Sequence, residues 1–327
     1  MEVYFQMQTG RTPVVIDDFT SFRWRRKYYD VGEFELHVKS DPNLLFQATS
    51  GDVLYIWFKN SVERGIVESI VISRDEISFS GRMESKNMVK TVAKKLIINS
   101  SAPAVMSQAY QQNGGSVSNS STVTDNVNAQ WRWNTLYDIE KSIGRAYNIG
   151  FYVRENTLYL YDGTDRSITQ NEINPVVFLD DDLDSPSLTL DNTNYYGFAY
   201  VAGEGEGDDR VFVTVGSGTD QLYVDARDLS QGEQTLEEYQ AQLKQRGTDK
   251  LAETISVETF ETSVSTGSRY KYRTDYFLGD IVTVQLENWR ITQNFRITEV
   301  EEIWENGIYT VFPTFGDPLP EKLELKG

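Results

Sequence analysis

The chain has no cysteine, one histidine and only eight prolines among 327 residues. Without cysteine there can be no disulfide, no thiolate nucleophile and no Cys-type zinc site. One histidine cannot build a His-rich zinc peptidase centre. No run of 18 or more apolar residues is present, so no transmembrane helix is written and no stable membrane insertion is expected. The opening Met1-Glu2-Val3-Tyr4-Phe5-Gln6 has no basic region and no long apolar stretch. It reads as an alternating strand rather than a secretory signal. Positive charge is also scarce: 31 Lys and Arg stand against 49 Asp and Glu, a net charge of −18. Such a surface repels nucleic-acid phosphates, which argues against DNA binding but leaves open a lumen through which DNA slides. Solubility is the simplest reading of the acidity.

What is present points to packed sheet. Hydrophobic residues make up 39% and aromatics 13%, so the chain folds, and its length allows two or three domains. Phe34, Leu36 and Val38 alternate with Glu35 and His37, as in a half-buried strand. Val53-Leu54-Tyr55-Ile56-Trp57-Phe58 is nearly all apolar and is expected to be buried on both faces. Pro103 to Gln112 reads as a helix, and Asn113 to Ser121, rich in Gly, Ser and Asn, as a loop. Asn134 is a candidate N-cap for a helix carrying Leu136, Ile139, Ile143 and Ala146, with Gly150 as its left-handed C-terminal cap. A hairpin follows, Phe151 to Arg154 and Leu158 to Tyr161. Thr235 and Glu238 form a capping box for a helix at about 235–254, in which Gly247 implies a kink or a close contact.

The two ends of the chain repeat one another. Gly51-Asp52 precedes an apolar strand, then Ile66 to Ile70 and Ile77 to Phe79. Gly279-Asp280 precedes another, then Arg296 to Val300 and Tyr309 to Phe312. The offset is 228 at Gly51/Gly279, 230 at Ile70/Val300 and 232 at Phe79/Val311. The pattern predicts an α+β, β-rich fold: two related small antiparallel β-barrels flanking an inserted α/β domain. The boundaries fall at residues 1–95, 96–185 and 186–327. Three such chains would present six similar units, and ring closure depends on the repeating contact rather than on the number of chains.

Catalytic chemistry finds little support. His37 lies in an alternating strand, and nothing in the sequence supplies it with a serine and a carboxylate as a triad requires. Gly203-Glu204-Gly205-Glu206-Gly207 is spaced G-x-G-x-G and precedes a strand, and its acids repel phosphate. It reads as a hairpin tip and a candidate assembly loop, with Gly203, Gly205, Gly207 and Arg210 as its residues. Asp180-Asp181-Asp182-Leu183-Asp184, with Asp191, resembles a calcium loop, but Ser185 stands where the turn glycine belongs and Pro186 follows. A solvated acidic turn is the plainer reading, and no metal or cofactor is expected. Trp131 and Trp133 flank Arg132 and could stack on sugars, or equally face a core. With 49 acids, paired carboxylates are arithmetically unavoidable, so a cell-wall glycan hydrolase is the second alternative and a carbohydrate-binding module the third.

A series of short motifs carries a resemblance across nearly the whole chain. They begin with Trp24, Tyr28, Tyr29 and Gly32-Glu33-Phe34-Glu35-Leu36, then Gly81-Arg82-Met83-Glu84-Ser85. Leu136-Tyr137-Asp138-Ile139 and Ile149-Gly150-Phe151 follow, then Asn194-Tyr195-Tyr196 and Val201 to Gly207 with Arg210. Val224 to Asp228, Gln245-Arg246-Gly247, Asp275 to Val282 and Pro313-Thr314-Phe315 complete them. In this order they are similar to siphophage tail-associated proteins, relatives of the baseplate hub of contractile tails. The resemblance implies a non-enzymatic homotrimer at the distal end of the tail tube. Its implied partners are the distal tail protein, the tape measure protein and tail spike or receptor-binding proteins, and DNA passes without specific binding. The implied location is the tail tip of the virion, assembled in the host cytoplasm. Larger relatives carry hydrolase or receptor-binding modules beyond this region, and those activities are not implied for this chain.

Overall fold

The computed structural model describes residues 2–7, 13–42, 44, 53–85, 88–90, 96–131, 133–170, 172–191, 195–252, 254 and 257–316. Gly51, Asp52, Arg132 and Asn194, used in the readings above, lie outside the described residues.

Apart from helical residues at Pro42 and Leu44, the described elements of the first part are strands. They run through β1 (Val3–Met7), β2 (Val14–Ile16), β3 (Phe19–Lys27), β4 (Glu33–Lys39), β5 (Leu54–Phe58), β6 (Gly65–Ile72) and β7 (Glu76–Met83). Period-2 alternation sends Phe22, Trp24, Phe34, Leu36, Val38, Leu54, Ile56, Phe58, Ile77 and Phe79 into one core. β5 differs from expectation, because Tyr55 and Trp57 are only half-buried on its second face. The two aromatics are covered locally instead: the Arg64 guanidinium lies 4.0 Å from the Tyr55 ring centroid, and Trp57 stacks on Tyr4.

The middle of the chain comprises β8 (Leu96–Ser101), α1 (Ala102–Gln112), β9 (Ser116–Asn119), β10 (Asn126–Trp131), α2 (Leu136–Tyr147), β11 (Gly150–Arg154) and β12 (Thr157–Tyr161). These elements share a core that includes Met106, Tyr110, Trp131, Ile139, Ile143 and Leu158. Two local readings need correction. The N-cap of α2 is Thr135, not Asn134; its side chain accepts from the Asp138 amide in a capping box. The left-handed C-terminal residue is Asn148 (φ 59°), not Gly150. Gly150 is small for another reason: a Cβ there would lie 2.1 Å from the Tyr28 ring. The expected loop over 113–121 contains β9, which pairs in parallel with β12. Backbone pairing, rather than a side-chain pattern, makes it a strand.

The last part contains β13 (Val177–Phe178), β14 (Leu183–Asp191), β15 (Phe198–Ala202), β16 (Phe212–Gly216), β17 (Gln221–Asp225), α3 (Leu236–Ala252), β18 (Val257–Val264), β19 (Ile281–Leu286), β20 (Ile291–Glu305) and β21 (Ile308–Gly316). Strands β15 to β17 and α3 enclose a separate small core of Val201, Val213, Val224, Tyr239 and Leu243. The capping box stands as read, with the Glu238 amide donating to Thr235 Oγ1 at 3.3 Å and the Thr235 amide to Glu238 Oε2 at 2.9 Å. Gly247 marks a close contact, since a Cβ would lie 2.7 Å from Val201 Cγ2.

No closed barrel is found among the described residues. Thirteen strands instead join one sheet, in which β20 pairs with β3 and so links the two ends of the chain. Within it the repeat is visible as strand order. The first end gives β3-β4-β7-β6-β5 and the second β14-β18-β21-β20-β19, with every neighbouring pair antiparallel. A bulge also recurs: pairing slips between Val67 and Ser69 in one run and between Ile297 and Glu299 in the other.

Candidate assembly interface

The two ends and the middle meet around Tyr28. This residue follows β3 and is fully buried. Its hydroxyl donates to the Asn148 carbonyl at 3.0 Å and accepts from the Gly163 amide at 3.1 Å. Its ring fills the space left by Gly150 on one side and by Gly279 (φ 95°) on the other, where a Cβ would lie 2.1 and 2.4 Å away. The Gly279-Asp280 pair thus has a concrete role. Gly279 takes the left-handed backbone and admits the ring, while the buried Asp280 carboxylate accepts from the Thr164 amide at 2.8 Å and Arg166 Nε at 2.7 Å.

A charged seam lies beside it. Arg26 follows Phe22 and Trp24 on the inward face of β3, and its Nε donates to Glu63 Oε2 at 2.6 Å. Both side chains are almost fully enclosed. Burial alone would push the Arg26 guanidinium down; the Glu63 charge more than reverses this, and it stays protonated. Arg64 pairs with Glu84 at 2.9 Å, and Glu84 also accepts from the Glu155 amide at 2.8 Å, fastening the turn between β11 and β12. The Gly81-Arg82-x-Glu84 motif is therefore structural. Gly81 sits at the bulge, where a Cβ would meet the Ile66 carbonyl at 2.0 Å, and Arg82 pairs with Glu68 at 2.7 Å.

The candidate assembly loop does join two strands of a hairpin, β15 and β16. Its guanidinium is already engaged. Arg210 donates to the carbonyls of Gly203 (2.9 Å) and Ala202 (3.1 Å), to Asp225 (2.7 Å) and to the Tyr223 hydroxyl (2.9 Å). Gly203 packs under α3, where a Cβ would lie 2.4 Å from the Tyr239 hydroxyl. Gly205 (φ 109°) and Gly207 (φ 56°) take left-handed backbone, and a Cβ on Gly207 would meet open space. The loop is braced from within, and the backbone around Gly207 is its accessible part.

The remaining candidates are dispersed. Asp182 is buried and accepts from the Leu179 amide at 3.1 Å and the Ser268 hydroxyl at 2.9 Å, whereas Asp180 accepts from the Glu287 amide at 2.9 Å. These carboxylates brace separate segments rather than converge on one point. Trp131 is in the core, whereas Trp133 is exposed with φ 65°, so the two do not form one stacking face.

His37 projects from the outer face of β4. Its Nε2 lies 3.0 Å from Glu35 Oε1 and its Nδ1 3.1 Å from Glu76 Oε2. Both ring nitrogens are thereby occupied, and neither is available as a base for a serine. Burial lowers its pKa, but the Glu76 and Glu35 hydrogen bonds outweigh this and raise it. A raised folded-state pKa means that the charged histidine stabilises the fold fully below the unfolded value and that this contribution fades as pH rises through the folded one. We expect His37→Gln to flatten stability against pH in that window, followed by denaturant midpoints at several pH values. It should leave any activity of the particle unchanged. Loss of cell-wall cleavage by a folded His37→Gln protein would contradict a structural role.

No helix among the described residues is long and apolar enough to cross a membrane. No curated protein matches the chain in sequence. Solved structures do match in fold. The 43 kDa tail protein of prophage MuSo2 from Shewanella oneidensis is similar over 96% of this chain and 98% of its own, at TM-score 0.63 and 12% identity. A tail protein from Neisseria meningitidis is similar over 97% and 96%, at TM-score 0.63 and 14% identity. A Francisella PdpA–VgrG complex matches 98% of this chain and 54% of the other, at TM-score 0.52 and 8% identity. The family described as Siphovirus ReqiPepy6 Gp37-like protein matches residues 8–317. With nearly all of its length covered by that match, the chain belongs to this siphovirus tail protein family.

Proposed function

We propose that the chain is a structural, non-enzymatic hub of a phage tail tip. Three copies form a ring that closes or extends the tail tube and carries the host-facing parts. The observation that carries this reading is the doubled five-strand run inside one sheet, in a chain matched end to end by tail proteins. Three chains then offer six similar units, each run completing a barrel-like wall with its neighbours, which suits a six-fold tube. The net charge of −18 supports a lumen that passes DNA without holding it. Likeness in fold to a chain of a PdpA–VgrG complex supports a place in a larger assembly. Residues 1–95 and 186–327 form the ring, the latter carrying the small β15–β17 and α3 insertion. The 96–185 domain and the 203–210 loop face the distal tail protein, the tape measure or receptor-binding proteins. Cryo-electron microscopy of the assembled tail tests this, by the symmetry and axial position of the component.

A further inference from the structure

Strand β20 does two jobs in succession. Its first part pairs with β19 and its second with β3, through Val300↔Arg26, Glu301↔Arg25 and Glu302↔Trp24. Its counterpart β6 begins the same way, pairing with β5 at Gly65 and Ile66. Beyond those two residues, β6 has no strand on that side among the described residues. Among the described residues, strand β14, the counterpart of β3, ends the sheet and pairs only with β18. The sheet thus has one closed seam, β20 with β3, and the two halves of a second seam left apart.

We infer that the outer half of β6 pairs with β14 of a second copy of this chain, in the register that β20 uses with β3. The correspondence of positions comes from one row across each run. In the first run Trp24 faces Phe34, Phe34 faces Gly81 and Gly81 faces Val67. In the second Leu188 faces Phe260, Phe260 faces Phe315 and Phe315 faces Ile297. The bulge follows at once in both, so Ser69 to Ile72 match Glu299 to Glu302. Carrying over the closed seam then sets Ile70 opposite the partner's Leu190, Val71 opposite the partner's Thr189 and Ile72 opposite the partner's Leu188.

Exposure at these positions supports the assignment. In the closed seam Glu302 is 1% and Arg26 9% exposed. At the matching open positions Ile72 is 47% and Leu190 66% exposed, and the adjacent Val71 is 61% exposed. Apolar side chains stand in solvent where the same position elsewhere in the fold is covered. An unpaired strand edge of this kind recruits another strand, and β-branched Ile and Val suit that pairing. The contact is heterologous, so repetition closes a ring or runs on as a filament. That it closes at three rests on the hub reading.

Because the chain has no cysteine, introduced thiols are the only ones present. The test is Val71→Cys with Thr189→Cys in the full chain, on the outward face where the matching Arg25 and Glu301 meet at 3.3 Å. After oxidation the double variant should give covalent trimers on a denaturing gel. An equimolar mixture of the two single variants should give covalent dimers and nothing larger, and Val71→Cys with Ser187→Cys, out of register, should give neither. Leu190→Lys should abolish the trimer in native mass spectra while leaving the circular dichroism spectrum unchanged. A three-chain species that never cross-links overturns the edge assignment and leaves the hub reading standing. A chain that stays single up to its solubility limit, without cross-links, overturns the pairing of free copies; the assembled tail then decides the hub reading by itself.

Discussion

Glu63→Ala should lower stability by about 3–5 kcal/mol, the cost of stranding one member of a buried ion pair. The removed carboxylate is 2.6 Å from Arg26, which is almost fully enclosed and no longer has a charged partner at that distance. The second contact of Arg26, with the Tyr272 hydroxyl at 3.4 Å, is too long to compensate. Unfolding followed by fluorescence of the buried Trp24 should show the drop as a lower denaturant midpoint. Replacing both partners, Arg26→Met with Glu63→Leu, should recover most of the loss, because an apolar pair of similar volume leaves no charge buried. A loss below about 1 kcal/mol for Glu63→Ala would mean that the pair behaves as a solvated surface pair.

The second large effect is expected at Tyr28. Tyr28→Ala removes an aromatic ring from a site walled by Gly150, Gly279 and Tyr161, and should cost about 3–5 kcal/mol. Tyr28→Phe keeps the ring and loses the hydroxyl's bonds to Asn148 and Gly163, and should cost about 1–3 kcal/mol through the buried groups left unpaired. The ring meets Gly150 in the middle of the chain and Gly279 in its last part, so Tyr28→Ala should also loosen that junction. Limited proteolysis should then cut within 162–176, between β12 and β13, faster than in the parent chain. Equal cutting rates together with a full loss of stability would show that Tyr28 supports only a local core.

Much of this architecture is legible in the residues, and the failures share a cause. Alternation in Phe34, Leu36 and Val38, and the Thr235–Glu238 capping box, are local patterns with local physical causes, and both appear as read. The repeat is legible because the strands of the two runs come in the same chain order. Barrels are not, since the matching strands join one open sheet through β20 and β3, a pairing of residues far apart in sequence. Strand β9 has no apolar period to read, as its partner β12 supplies the backbone bonds. Arg26 does carry a signal, a charge at an inward position after Phe22 and Trp24, but its partner Glu63 lies in a turn without periodicity. Arg210 stands out in a glycine-rich loop, yet its contacts go to its own hairpin and to Tyr223 and Asp225, which sequence spacing does not reveal.

The hub reading makes its most direct demand on the assembled particle. Cryo-electron microscopy of the tail, reconstructed without imposed symmetry, should show this chain on the tube axis as a three-fold component. Its two five-strand runs should alternate around a ring of six similar units, with β6 of each copy against β14 of the next. Any other symmetry for this component, or a position away from the axis, would contradict the account.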